Sequence, residues 1–318
     1  MLAQAVLCSN VSISNSTLTN NGADYGGAIS VLSGSVSISN STLTNNRANS
    51  GGAISVYLGS VVSISNSELT NNSANDGGAI YVYSGSVVSI SNSELTNNSA
   101  NFGSGAIDID SGSVSISNSE LTNNIASGAI YVIEDSTLII NNTYITNNIG
   151  SLNIAQSNAT FIGRNIVSNN GRPIYAFNSR IKFNGPTTLS NNRGVLGGAI
   201  SADQSEIFIN TEGVIITNNT ATSGGGIFLR VSTLFVNEPI KIYHNTAHQD
   251  GGGIYAYSSR VEFQSVLMWD QDGDPLPPNT QSEIAHNIAE NNGGGIHAVS
   301  TTIKLTRSYV NIDSNTCS

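Results

Sequence analysis

Asp108 and Asp110 stand two residues apart in the alternating run Ala106-Ile107-Asp108-Ile109-Asp110. On a β-strand they project from one face, with Cα atoms about 6 to 7 Å apart. Carboxyl pairs separated by about 5 to 9.5 Å carry out glycoside hydrolysis, one as acid and the other as base or nucleophile. A polysaccharide-acting hydrolase or lyase centred on this pair is therefore one expectation. The four histidines, His244, His248, His286 and His297, lie far along the chain from it. A second oxygen-rich group is Trp269-Asp270-Gln271-Asp272-Gly273-Asp274, followed by Pro275, Pro277 and Pro278. Asp270, Asp272 and Asp274 around a glycine resemble a calcium loop, although the helices and distal glutamate of an EF-hand are missing. The alternative is an acidic surface loop stiffened by proline. Glu68, Glu94 and Glu120 form a third set, each directly before a leucine and one repeat apart. At about 4.8 Å spacing they repel one another, which suits duplicated residues in water or weak calcium binding.

These residues are positioned by a repeat. An Asn three residues after Leu, Ile or Val recurs at positions 21, 46, 72, 98, 124, 148, 170, 192, 219, 245, 287 and 315. Its spacing is 22 to 28 residues apart from one interval of 42, which holds the Asp270–Asp274 loop. Within one period, Val36, Ile38, Leu43, Ile54 and Val56 alternate with small polar residues, the pattern of strands with one buried face. Gly51-Gly52 and Asn45-Asn46 supply turn geometry between the strands. One such coil cannot bury its own apolar side, so coils must stack, and stacking places like residue over like. The marker asparagines then form a column of amides bonded from coil to coil. The sequence thus predicts an all-β parallel solenoid of about twelve coils, one domain over 1–318 with an inserted loop at about 266–281.

The pairing of Leu/Ile/Val-x-x-Asn with Gly-Gly-Ala-Ile is intact at Gly26, Gly51, Gly77 and Gly197 and relaxed to Gly-Gly-Gly-Ile at Gly224, Gly251 and Gly293. It is weakest at Leu152-Asn153-Ile154 and Arg172-Pro173-Ile174. Over residues 12 to 315 it resembles the FxxN and GGAI repeats of chlamydial-type polymorphic outer-membrane proteins and related surface proteins. That resemblance implies a right-handed single-stranded parallel β-helix at a cell surface or outside the cell. The chain departs from the family pattern in that no marker carries Phe and no membrane barrel follows the repeats, so outer-membrane anchoring and bacterial adhesion are not carried over. Many right-handed β-helices act on pectin, and Arg180-Ile181-Lys182 matches a tripeptide of polygalacturonases, but their His-Gly and paired-Asp elements are missing here.

Aligning the coils puts Tyr57, Tyr81, Tyr83, Tyr131, Tyr175, Phe177, Phe228, Tyr255 and Tyr257 on one outward stripe, with Asp108 and Asp110 among them. Such a stripe can receive sugar rings or a partner protein, or simply supply favoured cross-strand neighbours. The net charge of -10 and only three lysines leave no basic track for nucleic acid. No apolar run is long enough to span a bilayer, and the first ten residues lack a signal-peptide pattern. Cys8 and Cys317 fall in the first and last repeats, about 50 Å apart in a stack, too far to bridge. Both ends fall within a repeat without a polar cap, which points to a longer array or end-to-end stacking, with a fragment as the alternative. The leading expectation is a non-catalytic extracellular or cell-surface structural or adhesion module. The hydrolase centred on Asp108 and Asp110 is the second.

Overall fold

The structure, a computed structural model, describes residues 4–7, 10–264, 281–306 and 308–317. Every element among them is a β-strand, and every strand pairing is parallel. Each coil contributes one strand to each of three sheets, here called A, B and C. The coil after Asn46 shows the order: Ile54–Tyr57 in sheet A, Val61–Ser65 in sheet B and Glu68–Thr70 in sheet C. The chain is an all-β right-handed parallel β-helix of about twelve coils.

The chain divides into two compact units, 1–159 and 160–318. The boundary falls where the Gly-Gly motif is weakest. In the first unit, seven sheet A strands run in parallel order from Gln4–Leu7 to Leu152–Ala155. In the second unit, five run from Ile174–Phe177 to Ile296–Val299. The expected inward residues are inside: Val36 is 2% exposed, and Ile38, Leu43, Ile54 and Val56 are fully buried. Each large aliphatic side chain so buried contributes about 1.5 to 3 kcal/mol.

The turn after sheet C needs two asparagines for two different reasons. The first, as at Asn45, Asn71 and Asn97, takes a left-handed φ of 55°, a conformation that asparagine tolerates. The second is the marker, and its amide is saturated. Asn72 Nδ2 donates to Leu43 O at 2.9 Å and to Asn98 Oδ1 at 3.0 Å. Its Oδ1 accepts from the backbone N and from Nδ2 of Asn46, both at 3.0 Å. Both donor hydrogens and both lone-pair directions are used. The same ladder links Asn21 to Asn148 in the first unit and Asn170 to Asn315 in the second.

A second ladder was not anticipated from the sequence. Ser41, Ser67, Ser93 and Ser119 turn the corner from sheet B to sheet C, each Oγ accepting the backbone N–H one coil earlier at 3.1 Å. Each hydroxyl also donates to a carbonyl two residues back at 2.7 to 2.8 Å. In the second unit Ser205, Ser232, Ser259 and Thr301 accept the backbone N–H one coil earlier in the same way, but at the corner from sheet A to sheet B.

Replacing Asn72 by Ala strands the buried N–H and amide of Asn46 and the carbonyl of Leu43, each at a cost of about 1 to 3 kcal/mol. Asn72→Ala should therefore lose about 3 kcal/mol or more in urea unfolding, and Asn72→Asp should lose stability too, because a carboxylate cannot donate to Leu43 O. Unchanged urea midpoints in both would show that the ladder does not hold the coils.

Candidate functional site

The outward positions of sheet A carry the aromatic and acidic residues singled out above, in two rows instead of one stripe. Strand pairing aligns Ser55, Tyr81, Asp108, Tyr131 and Asn153 in one row. Tyr83, Asp110 and Ile133 align in the other, which Tyr57 extends. The rows differ in access because the Gly-Gly turn entering each strand folds over the first of them. Gly77 has a φ of 61°, and a Cβ there would stand 3.2 Å from Tyr81 Cα. Gly51 lies in the same way against Ser55. Small residues of the covered row, such as Ser30 and Ser55, are buried, while Tyr81 and Tyr131 are half-buried. Tyr83 in the open row is 40% exposed.

In the first unit the rings make a cluster. Tyr81 and Tyr83 stack with centroids 6.2 Å apart, and Tyr57 lies 5.9 Å from each. Tyr25, in the turn two coils below Tyr81's strand, meets Tyr57 edge-on at 5.8 Å. Burial, followed by the charges of Asp110 and Asp108, pushes the Tyr81 phenol well above its ordinary range.

The two carboxylates expected to act as a pair are held apart by their surroundings. Asp108 is only 3% exposed. It lies in the covered row beneath the Phe102-Gly103 turn, so close that a Cβ on Gly103 would overlap its Oδ2. Its neighbour there is Asp76, whose Oδ1 accepts the Gly103 N–H at 3.4 Å. Burial first, and then the Asp76 charge, push Asp108 up to about 7, against hydrogen bonds from the backbone N–H groups of Ser104 and Gly77. Asp110 is half-buried in the open row, accepting from Ser111 Oγ at 3.2 Å. Its pKa is raised by burial and then by the charge of Glu134. A register shift between Ser104 and Ile107 sets this coil off from its neighbours.

In the second unit the covered row runs Tyr175, Ser201, Phe228, Tyr255 and His297. Phe228 and Tyr255 stack at 5.1 Å, and Tyr255 and His297 at 5.3 Å. Tyr175, whose coil has Arg172-Pro173 in place of Gly-Gly, is 38% exposed. The open row holds Phe177, Asp203, Arg230 and Tyr257. Arg230 pairs with the buried carboxylate of Asp203. Tyr257 is 44% exposed.

Asp76, Tyr25 and Glu134 escaped the sequence reading. The first two share a turn column, Tyr25, Ser50 and Asp76, that bridges from coil to coil. Aligning the residue before Gly-Gly would have exposed it. Glu68, Glu94 and Glu120 do stack in register and are exposed. Asp270, Asp272, Asp274 and Cys8 lie outside the described residues, and Cys317 is free and exposed. Among the described residues no cluster of three His, Cys, Asp or Glu side chains could hold a metal ion, and no helix is long and apolar enough to cross a membrane.

Residues 78–234 match the model of the right-handed β-helix region. Residues 40–57 and 66–83 match the Chlamydia polymorphic membrane protein repeat. Each of the latter segments contains one marker Asn and one Gly-Gly-Ala-Ile, and they end on Tyr57 and Tyr83. No curated protein and no solved structure matches the sequence significantly. Fold and repeats together define a right-handed β-helix repeat protein. Its repeats are similar to the polymorphic membrane protein repeat, and the two matches point to a surface-type β-helix module.

The Asp108 carboxyl holds its proton more tightly when folded than when unfolded, where it titrates near 4. Its contribution to stability is complete below about pH 4, falls as pH rises and levels off above about 7. Unfolding free energy should therefore drop by up to about 4 kcal/mol more in the wild type than in Asp108→Asn between these limits. Parallel pH profiles for the two proteins in urea would remove this linkage.

Proposed function

We propose that the chain is a non-catalytic surface module that adheres through the aromatic rows of sheet A, with the coils serving as a rigid spacer behind them. The observation that carries this reading is the distribution of rings. In the first unit the outward positions of sheet B are mainly serine, whereas those of sheet A carry Tyr57, Tyr81, Tyr83 and Tyr131. Tyr255 and Tyr257 occupy the corresponding positions in the second unit. Large rings with polar tips suit a face that is wet when free and covered when bound. Carbohydrate and protein are both suitable ligand classes.

The geometry weighs against hydrolysis at Asp108 and Asp110. A general acid must reach the glycosidic oxygen. Asp108 is buried under the Phe102-Gly103 turn with its carboxylate engaged by backbone N–H groups and its charge opposed by Asp76. Two measurements test the proposal. Beads coated with the protein should be retained on glycan- or protein-coated surfaces, and retention should fall about fivefold or more in a Tyr81→Ser, Tyr83→Ser, Tyr255→Ser, Tyr257→Ser variant, since a large aromatic anchor is worth about 1 kcal/mol or more. Equal retention would overturn the assignment of the face. Incubation with uronate and neutral polysaccharides should release no reducing ends or unsaturated products. Turnover abolished by Asp108→Asn would make the protein an enzyme.

A further inference from the structure

The two units differ sharply in charge. Residues 1–159 contain one positive side chain, Arg47, against nine carboxylates, a side-chain charge of -8. Residues 160–318 contain ten against twelve, a charge of -2. Among the described residues every ion pair lies in the second unit. The nine carboxylates of the first unit therefore create a negative field that Arg47 alone offsets only in small part.

That field meets aromatic rings at one place. Asp110 pairs in register with Tyr83, one coil on, and Glu134 follows in the turn beyond the next sheet A strand. Ser111 Oγ stands 3.2 Å from Asp110 Oδ1 and 3.3 Å from Glu134 Oε2. A hydroxyl has a single hydrogen to donate, so Ser111 serves one of these carboxylates at a time, and Asp110 draws besides on a side-chain hydrogen bond from Tyr81. Glu134 is exposed, Asp110 is half-buried, and the Tyr83 ring is 40% exposed beside them. Burial, and after it repulsion from Glu134, raises the proton affinity of Asp110.

We propose that the patch formed by Tyr81, Tyr83, Asp110 and Glu134 receives an arginine side chain from a basic segment of a partner protein. A guanidinium presents a flat face to a tyrosine ring and several N–H donors at its edge. It can bond both carboxylates at once, which an ammonium does less well and a neutral sugar hydroxyl does without relieving their repulsion. The surrounding charge of the first unit draws a basic segment toward the patch before contact. The proposal rests on the reading of sheet A as a binding face and narrows its ligand.

The test is fluorescence anisotropy of the full chain with a labelled arginine-rich peptide, alongside the same peptide with lysine or citrulline in place of arginine. The arginine peptide should bind most tightly, and its affinity should fall about tenfold or more from about 50 to about 300 mM salt. Asp110→Asn with Glu134→Gln should weaken it by about tenfold, and Tyr83→Ser by about fivefold. The matched control, Glu68→Gln with Glu94→Gln, removes the same charge from sheet C and should change affinity by less than about twofold. A control that costs as much as the patch variant, or a citrulline peptide that binds as well, overturns the proposal. Circular dichroism and urea unfolding show whether the variants remain folded; should the double variant fail, Glu134→Gln alone, at an exposed position, carries the test. Bead retention that depends on the tyrosines but not on Asp110 or Glu134 leaves the adhesive face standing and removes the arginine.

Discussion

The fold depends on keeping buried polar groups satisfied between one coil and the next. A parallel coil must turn three times, and the turn after sheet C carries a side chain that is wholly enclosed at Asn46, Asn72, Asn98 and Asn124. An amide without partners there would cost more than an aliphatic neighbour contributes. Asparagine meets the demand because it offers two donors and an acceptor oxygen on a short stem, and each coil supplies the partners of the next. Aspartate lacks the donors, and glutamine places the amide one methylene too far. The serine corners do the same work with a single hydroxyl at the entry to sheet C.

Once the register is held in this way, each side chain stands in a column with its counterparts. Columns of aliphatic residues make the core, and columns of rings can stack, as Phe161 with Phe183 inside the second unit and Phe208 with Phe235 on its surface. Columns of like charge are tolerated only in water. Glu68, Glu94 and Glu120 are exposed, where a high dielectric weakens their repulsion. Asp108 is the contrasting case. Asp76 and Asp110 stand near it in low-dielectric surroundings, and protonation rises in response.

The coil that carries Asp108 is also where the repeat gives way. An extra residue before Ile107 shifts the register against the following strand, and the Phe102-Gly103 turn drops onto the carboxylate. Regular coils here do the work of a scaffold, and departures from regularity locate the chemistry. In the first unit that departure joins a tyrosine cluster to unneutralised carboxylates. In the second, ion pairs such as Arg230 with Asp203 settle comparable charges internally. The two aromatic faces therefore differ in the ligands they can accept, although the same strand positions build them.

The architecture was legible in the sequence because it arises from local rules repeated many times. Alternation placed Ile38 and Val56 inside, the spacing of Asn21 to Asn315 counted the coils, and Gly-Gly marked the entry to sheet A. Alternation has a period of two, however, and treats Tyr81 and Tyr83 as equivalent. Only the folded chain distinguishes them, because the Gly77 turn lies over the position of Tyr81 and not over that of Tyr83. For the same reason the sequence could pair Asp108 with Asp110, its neighbour on the strand, but not with Asp76 from the preceding coil. Strand periodicity determines which face a residue takes; what covers that face is decided by turns and neighbouring coils distant in sequence, and these set the access, charge and proton affinity of the site.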